Sequence, residues 1–276
     1  MVQTLNTVVY DSARRPHPFL EEWIELVRYR DLVVQWANRS IKIRYKRSIL
    51  GVLWTLLEPL IIMAILTVVF SYAFRVAIQN YPIYVLTGLL MWDFFVRATT
   101  TMVKEMIASE NLAHRIYVPI SAFAVANVFA YAFNWLIALV PLMGIALVTG
   151  HPMHLPIITL PVTMGLVMMF ALGVGLIVST ISVFFHDFSL MYDVLLRAWL
   201  YLTPIIYPID IVPEHLRFLL WINPMTHYVR LLHDAVYFGR YSPLHVWALC
   251  GMISGLALLI GWWWFTRTRD AFAYRC

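Results

Sequence analysis

Two stretches of this chain, Val118 to Val148 and Leu155 to Phe185, contain no Asp, Glu, Lys or Arg. A helix needs roughly 20 mostly apolar residues to cross the hydrocarbon core of a bilayer, and both stretches exceed that. They also exceed one perpendicular span, so tilt or a bent end is expected. A soluble domain carries roughly 25% charged residues. Here 13% of the 276 residues are charged and 62% are hydrophobic. A water-soluble fold of this length cannot hide so much apolar surface, whereas lipid tails solvate it. The chain is therefore an integral membrane protein.

Four further runs complete the pattern, making six expected spans in an all-α polytopic fold. Ile49 to Phe74 is interrupted by Glu58-Pro59 near its start, and Ile83 to Val103 carries Asp93 and Arg97. Phe188 to Ile209 carries Asp193 and Arg197, and Val246 to Phe265 ends in Trp262-Trp263-Trp264, a triplet suited to an interfacial anchor. Nine Lys and Arg residues precede the first span, and Arg267, Arg269 and Arg275 follow the last. The connection Gly150 to His154 has no Lys or Arg. This asymmetry puts both termini in the cytoplasm. The segments expected are thus a cytoplasmic N-terminal part (1–48), a transmembrane domain (49–265) and a cytoplasmic tail (266–276). The first strongly apolar run starts behind a polar, basic segment, so no secretory leader is expected. The net charge of +5 sits beside apolar runs, which favours topology over nucleic-acid binding.

Two segments are neither spans nor simple loops. From Phe19 to Arg47, Leu20, Trp23, Ile24 and Val27 recur at helical spacing, while Glu21, Glu22, Glu25 and Arg28 take other faces. Five basic residues then fall within Arg39 to Arg47 with no acid among them. This segment is expected to lie along the cytoplasmic interface, as a topology anchor or as a docking surface for a soluble partner. From Asp210 to Leu244 the chain is too charged to span, yet Leu216 and Phe218 to Ile222 are apolar. Two short re-entrant helices broken at Asn223-Pro224 are expected there, dipping into the outer leaflet.

Motifs of chemistry are few. There is no GxxxxGK[ST] phosphate loop, HExxH, paired CxxC or GxSxG. His151 and His154 read as an exposed turn rather than a metal site, and Cys250 and Cys276 suggest neither metal nor disulfide. No metal is expected. Glu58, Asp93, Arg97, Asp193 and Arg197 are costly in hydrocarbon and suit structural pairing, interface placement or a direct transport role; Asp193 and Arg197, four apart, share a helix face and can pair. Aromatic side chains reach 15%, including Trp54, Phe70, Tyr72 and Phe74 in the first span and Trp199, Tyr201 and Tyr207 in the fifth. Such rings serve as interfacial belts or as stacking platforms for sugars.

Four passages resemble the membrane subunits of ABC exporters for cell-surface polysaccharides, the permeases for O-antigen, capsule or teichoic acid chains. They are Arg28-Tyr29-Arg30-Asp31-Leu32 through Ile43-Arg44-Tyr45-Lys46-Arg47-Ser48-Ile49-Leu50-Gly51-Val52-Leu53-Trp54, closed by Glu58-Pro59; Asn111-Leu112 through Pro119; Phe184-Phe185-His186-Asp187 leading to Thr203-Pro204-Ile205-Ile206-Tyr207-Pro208; and Asn223-Pro224-Met225. Together they run through nearly the whole chain. One departure is His186, where that family usually has Arg before the Asp. The resemblance implies a non-enzymatic permease that forms a homodimer in the bacterial inner membrane, with two copies of a separate ABC ATPase beneath it and a lipid-linked polymer as substrate. No cofactor is expected on this chain, since ATP and Mg belong to the partner. It further implies a coupling helix near residues 109–118, with Asn111, Leu112, His114 and Arg115 facing the ATPase. The interface helix with Trp23, Arg28, Arg30 and Asp31 frames the same surface. Trp54, Phe70, Tyr72, Trp199, Tyr201 and Arg197 are the implied path residues, and Trp221, Asn223 and Pro224 belong to an outer gate at about residues 210–244. Alternatives are a drug or small-lipid exporter of the same broad fold, and a membrane transferase using His186 and Asp187.

Overall fold

The computed structural model describes residues 18–45, 52–70, 78–113, 120–185 and 187–272. Every regular element among them is helical. In order these are α1 (Pro18–Arg28), α2 (Arg30–Tyr45), α3 (Val52–Val68), α4 (Tyr81–Ala113), α5 (Ile120–Val148), α6 (Leu160–Phe184), α7 (Asp187–Tyr201), α8 (Arg217–Ile222), α9 (Pro224–Val236) and α10 (Leu244–Phe272), with short 3₁₀ turns before α6 and α8. By length and apolarity, the segments Ser121–Val148, Leu155–Phe184 and Leu244–Thr268 are able to cross a membrane. Helix α3 has a shorter apolar stretch, Leu56–Val68.

The interior is built around α4 and α6. Helix α4 packs against α5, α6 and α9, and α10 runs along α6. The α6–α10 crossing depends on two glycines. A Cβ on Gly173 would lie 2.3 Å from the Ala257 carbonyl carbon, and one on Gly261 would lie 2.3 Å from the Gly173 oxygen. No side chain fits there, so the backbones touch, as in small-residue contacts between membrane helices. The outer faces carry what a soluble fold would bury: Phe129, Phe133, Leu136, Val140 and Leu147 form an exposed apolar stripe along α5. Their spacing of three, four and seven is that of one helix face.

Three boundaries differ from the sequence expectation. Pro59 does not break α3, which continues through it; Pro59 is buried, and a packed helix tolerates the lost hydrogen bond when neighbouring elements hold it. The expected fifth span to Ile209 ends as a helix at Tyr201. Fifteen residues rise about 22 Å, short of a full crossing. Pro204 lacks an N–H and disfavours a helical conformation at Thr203, and Thr203, Pro204, Ile205 and Ile206 follow as buried irregular chain. The N-terminal amphipathic stretch is two helices rather than one, divided at Tyr29, whose carbonyl caps the start of α2 by accepting from Leu32 N and Val33 N.

A candidate path and gate

At the end of the bundle that carries α1 and α2, the polar and apolar faces of α1 are placed opposite to those of a soluble helix. Glu21, Glu22 and Glu25 are buried, while Trp23, Ile24 and Val27 are half exposed. Glu22 accepts a hydrogen bond from Ser121 Oγ at 2.5 Å. Trp23 meets Trp262 edge-on at 5.8 Å. Acids thus face the protein and apolar side chains face outward, the arrangement of a helix lying in a membrane interface. Helix α2 is held to α5 by Trp36 against Phe123, with the Arg39 guanidinium over Trp36. Arg28, Arg30 and Asp31 are exposed, and the 4.0 Å Arg30–Asp31 contact is a solvent pair of little energetic weight. Asn111 and Leu112 form the last helical turn of α4. His114, Arg115, Tyr72, Phe74 and His186 lie outside the described residues, as does the side chain of Trp54.

The charges expected within the spans sort differently from the sequence reading. Among the described residues no ion pair joins Asp193 to Arg197, and Arg197 is exposed. The pair forms instead at Asp93 and Arg97, also four apart, with Arg97 Nε 2.6 Å from Asp93 Oδ1. Arg97 NH2 reaches Glu58 Oε2 at 2.6 Å. The guanidinium therefore clasps α4 to α3 and leaves both acids partnered. Pro59, Tyr131 and Trp135 border this cluster, and Tyr131 OH bonds Thr101 Oγ1 at 2.6 Å. The same i, i+4 spacing in the sequence signals both pairs; only the neighbouring helix, with Glu58, distinguishes them.

The aromatic side chains singled out in the sequence divide. Phe70 stacks on Tyr81 at 5.7 Å, and Tyr201 is exposed. Trp199 is half buried, with its ring 6.0 Å from Trp92 and 5.4 Å from Phe95. Its Nε1 donates to Asn223 Oδ1 at 2.7 Å. Asn223 also caps α9, Oδ1 accepting from Met225 N at 3.0 Å. Its Nδ2 donates to Leu202 O and to Thr203 Oγ1, both at 2.9 Å. One side chain thus uses donors and acceptor together to lock the end of α7 to the break between α8 and α9. Pro224 occupies the first helical position, where it costs no hydrogen bond.

Beyond this junction, α8 and α9 are unlike. Leu216, Phe218, Leu219, Trp221 and Ile222 are exposed, whereas Met225 to Val236 are nearly all buried. Helix α9 is fixed to the start of α4: His233 stacks on Tyr84 at 4.1 Å and its Nε2 lies 2.9 Å from Tyr84 O. Tyr81 OH donates to Ile206 O at 2.8 Å, and Tyr84 OH to Tyr207 O at 3.2 Å. These bonds satisfy the irregular backbone that follows α7, which is how such chain survives away from water. Asp234 is buried and bound by Arg240 Nε and Ser242 Oγ, each at 2.7 Å. A cavity of about 250 Å³ opens here, between α9 and the segment Pro204 to Asp210. Sequence reasoning had no signal for His233, Asp234 or Tyr84, because their partners lie far along the chain.

No group of His, Cys, Asp and Glu able to hold a metal occurs among the described residues. The family profile described as "ABC-2 type transporter" matches residues 32–237. An O-antigen export system permease protein of Klebsiella pneumoniae is 26% identical over 234 residues, 83% of this chain and 90% of that protein. A polysialic acid transport protein of Escherichia coli is 26% identical over 231 residues, 80% of this chain and 89% of its own length. A capsule polysaccharide export inner-membrane protein of Neisseria meningitidis serogroup B is 23% identical over 249 residues, 86% of this chain and 93% of its own.

Proposed function

This chain belongs to the ABC-2 type transporter family, and from that premise we propose that it is the permease subunit of an ATP-driven exporter moving a lipid-linked polysaccharide across the bacterial cytoplasmic membrane. The observation that carries this reading is the breadth of the likeness. Relatives named for export of O-antigen and capsule polysaccharide and for transport of polysialic acid each align with four-fifths or more of the chain.

In this reading the chain crosses the membrane six times, the fifth crossing being α7 continued by the buried irregular chain Thr203 to Ile206, with both termini in the cytoplasm, and works as a homodimer above two copies of an ABC ATPase. The inverted faces of α1 support the interfacial placement of the N-terminal segment: its acids bond inward and its apolar side chains meet lipid. The coupling segment is residues 109–118, with His114 and Arg115 directed to the ATPase. Helix α4 is the transmitting element. Its 33 residues span about 50 Å, from the coupling segment to Tyr81 and Tyr84. Those two tyrosines hold the chain after α7, and Tyr84 contacts α9 through His233. A displacement of α4 therefore acts directly on the segment read as the outer gate. The path runs along α3 and α7, and Trp199 is held to the gate through Asn223.

The test is co-purification of the chain with its ATPase, together with export of surface polymer by a strain that depends on this chain. Changing His114 and Arg115 to Ala is expected to abolish export and ATPase stimulation while leaving the membrane level of the chain intact. Turnover of a substrate by the purified chain without a partner would overturn the reading.

A further inference from the structure

We propose that the chain from Thr203 to Tyr207 is a movable strap, which closes the exit while seated on one face of α4 and opens it by shifting into the cavity beside α9; the assignment rests on the export reading above. Tyr81, Tyr84 and Gly88 follow one another at spacings of three and four, so they share that face of α4. Tyr81 OH donates to Ile206 O at 2.8 Å, and Tyr84 OH to Tyr207 O at 3.2 Å. Between these bonds and the helix, Ile205 is wholly buried over Gly88. A Cβ on Gly88 would lie 2.9 Å from Ile205 Cγ2 and 3.3 Å from Ile205 Cα. Glycine therefore leaves both the side chain and the backbone of the strap room to rest on the helix. Tyr81 also stacks on Phe70, just past α3, so the seat borders the helix along which the path runs.

The seat is built to release. Its polar grip is tyrosine hydroxyls on backbone carbonyls, bonds that water or a polymer hydroxyl replaces at small net cost. On its other side the strap is not packed: Pro204, Pro208 and Ile209 border the cavity of about 250 Å³, with Val229 and His233 of α9 across it. Interiors hold few voids larger than a water molecule, and a segment that borders one gives up few contacts by moving into it. The start of the strap is moored, because Asn223 Nδ2 bonds Leu202 O and Thr203 Oγ1. That makes Thr203 the pivot and Ile205 to Tyr207 the moving part. Helix α9 stays with α4 through the contact of His233 with Tyr84 O, so the cavity wall does not follow the strap. One helix carries Tyr81, Tyr84 and Gly88, and a displacement of α4 withdraws all three together. Gly88 is thus a positioning residue of the gate rather than a contact for the polymer.

The strap is tested by bonding it to its seat. In a full chain with Cys250 and Cys276 replaced by Ser, Gly88→Cys and Ile205→Cys are combined; a disulfide needs Cβ atoms roughly 3.5–4.5 Å apart, which the seat provides. Oxidant is expected to stop export of surface polymer by cells carrying this double variant, reductant to restore it, and each single variant to be indifferent to both. A second measurement covers a double variant that does not accumulate. Ile205→Cys alone, in the same background and in lipid nanodiscs, is labelled with a water-soluble maleimide. Tyr81→Phe is expected to raise the labelling rate about fivefold, the worth of one hydrogen bond. Gly88→Ala is expected to raise it as well, whereas Gly165→Ala, whose Cβ meets nothing, is expected to leave it unchanged. Failure of the two cysteines to join, export that continues with the disulfide closed, or labelling unmoved by Tyr81→Phe and Gly88→Ala overturns the strap. If surface polymer depends on the chain while the closed disulfide is harmless, the strap alone falls; if polymer export is indifferent to the chain, the export reading falls with it.

Discussion

Arg97 and Asn223 show how much a single side chain can organise in a membrane fold. Arg97 partners two acids on two helices, Asp93 and Glu58. Removing it takes from both carboxylates the guanidinium that joins α3 to α4, and an acid on a spanning helix without that counter-charge is costly. Arg97→Ala is therefore expected to lower the melting temperature in nanodiscs sharply. The triple change Glu58→Gln, Asp93→Asn, Arg97→Gln is expected to recover part of the loss, as read by tryptophan fluorescence on heating. A triple variant no more stable than Arg97→Ala would show that the charges are not mutually compensating. Asn223 makes four hydrogen bonds, to Trp199, Leu202, Thr203 and Met225. At about 1 kcal/mol net apiece, Asn223→Ala should cost up to about 4 kcal/mol and loosen the α7–α9 junction. Hydrogen exchange confined to residues 200–206 is the measurement. Thr203→Val, which removes a single partner, is expected to do less. The value of Asn at this position was visible in the sequence only as a break before proline. Its bonds to the end of α7 depend on how two elements meet.

Among the helices, α6 and α10 set the tightest constraint. Gly173 and Gly261 let the two backbones touch, while a Cβ on Gly144 in α5 or Gly165 in α6 would meet nothing within 4 Å. Gly173→Val is thus expected to cost about 1–3 kcal/mol or more through overpacking. Gly144→Ala and Gly165→Ala are expected to be neutral or stabilising by about 0.5–1 kcal/mol, since alanine suits a helix interior better than glycine. Melting curves of the three variants in one lipid composition decide it; equal effects at Gly173 and Gly165 would contradict the close approach. All three glycines look alike in sequence, each within an uncharged apolar run. The element boundaries divide in the same way. Helices α5, α6 and α10 follow closely from their apolar runs, because lipid demands continuous backbone pairing there. The end of α7 does not follow, because Thr203 to Tyr207 remain apolar after the helix stops and are paired by Tyr81 and Tyr84 from α4.

At the scale of the whole molecule, the bundle has one end capped by α1 and α2 and another formed by α9, the start of α4 and the turn after α5. The export reading assigns the first end to the cytoplasm. In a chain with Cys250 and Cys276 replaced by Ser, a cysteine at the exposed turn residue Met153 is expected to react with a membrane-impermeant maleimide on intact cells. A cysteine at exposed Lys42 is expected to react only after the membrane is opened. The reverse pattern would invert the topology. The sequence by itself determined that the chain lives in lipid, that it is helical, and that its ends are basic, because these follow from run length, composition and the cost of unpaired backbone in hydrocarbon. It also determined the break at Asn223-Pro224, because proline's missing N–H is a local fact. Only the tertiary structure decided that Asp93 rather than Asp193 holds an arginine, that the acids of α1 turn inward, and that Ile205 comes to rest on Gly88. Each of these depends on which face of one helix meets another, and helical periodicity fixes the faces of an element without fixing its neighbours.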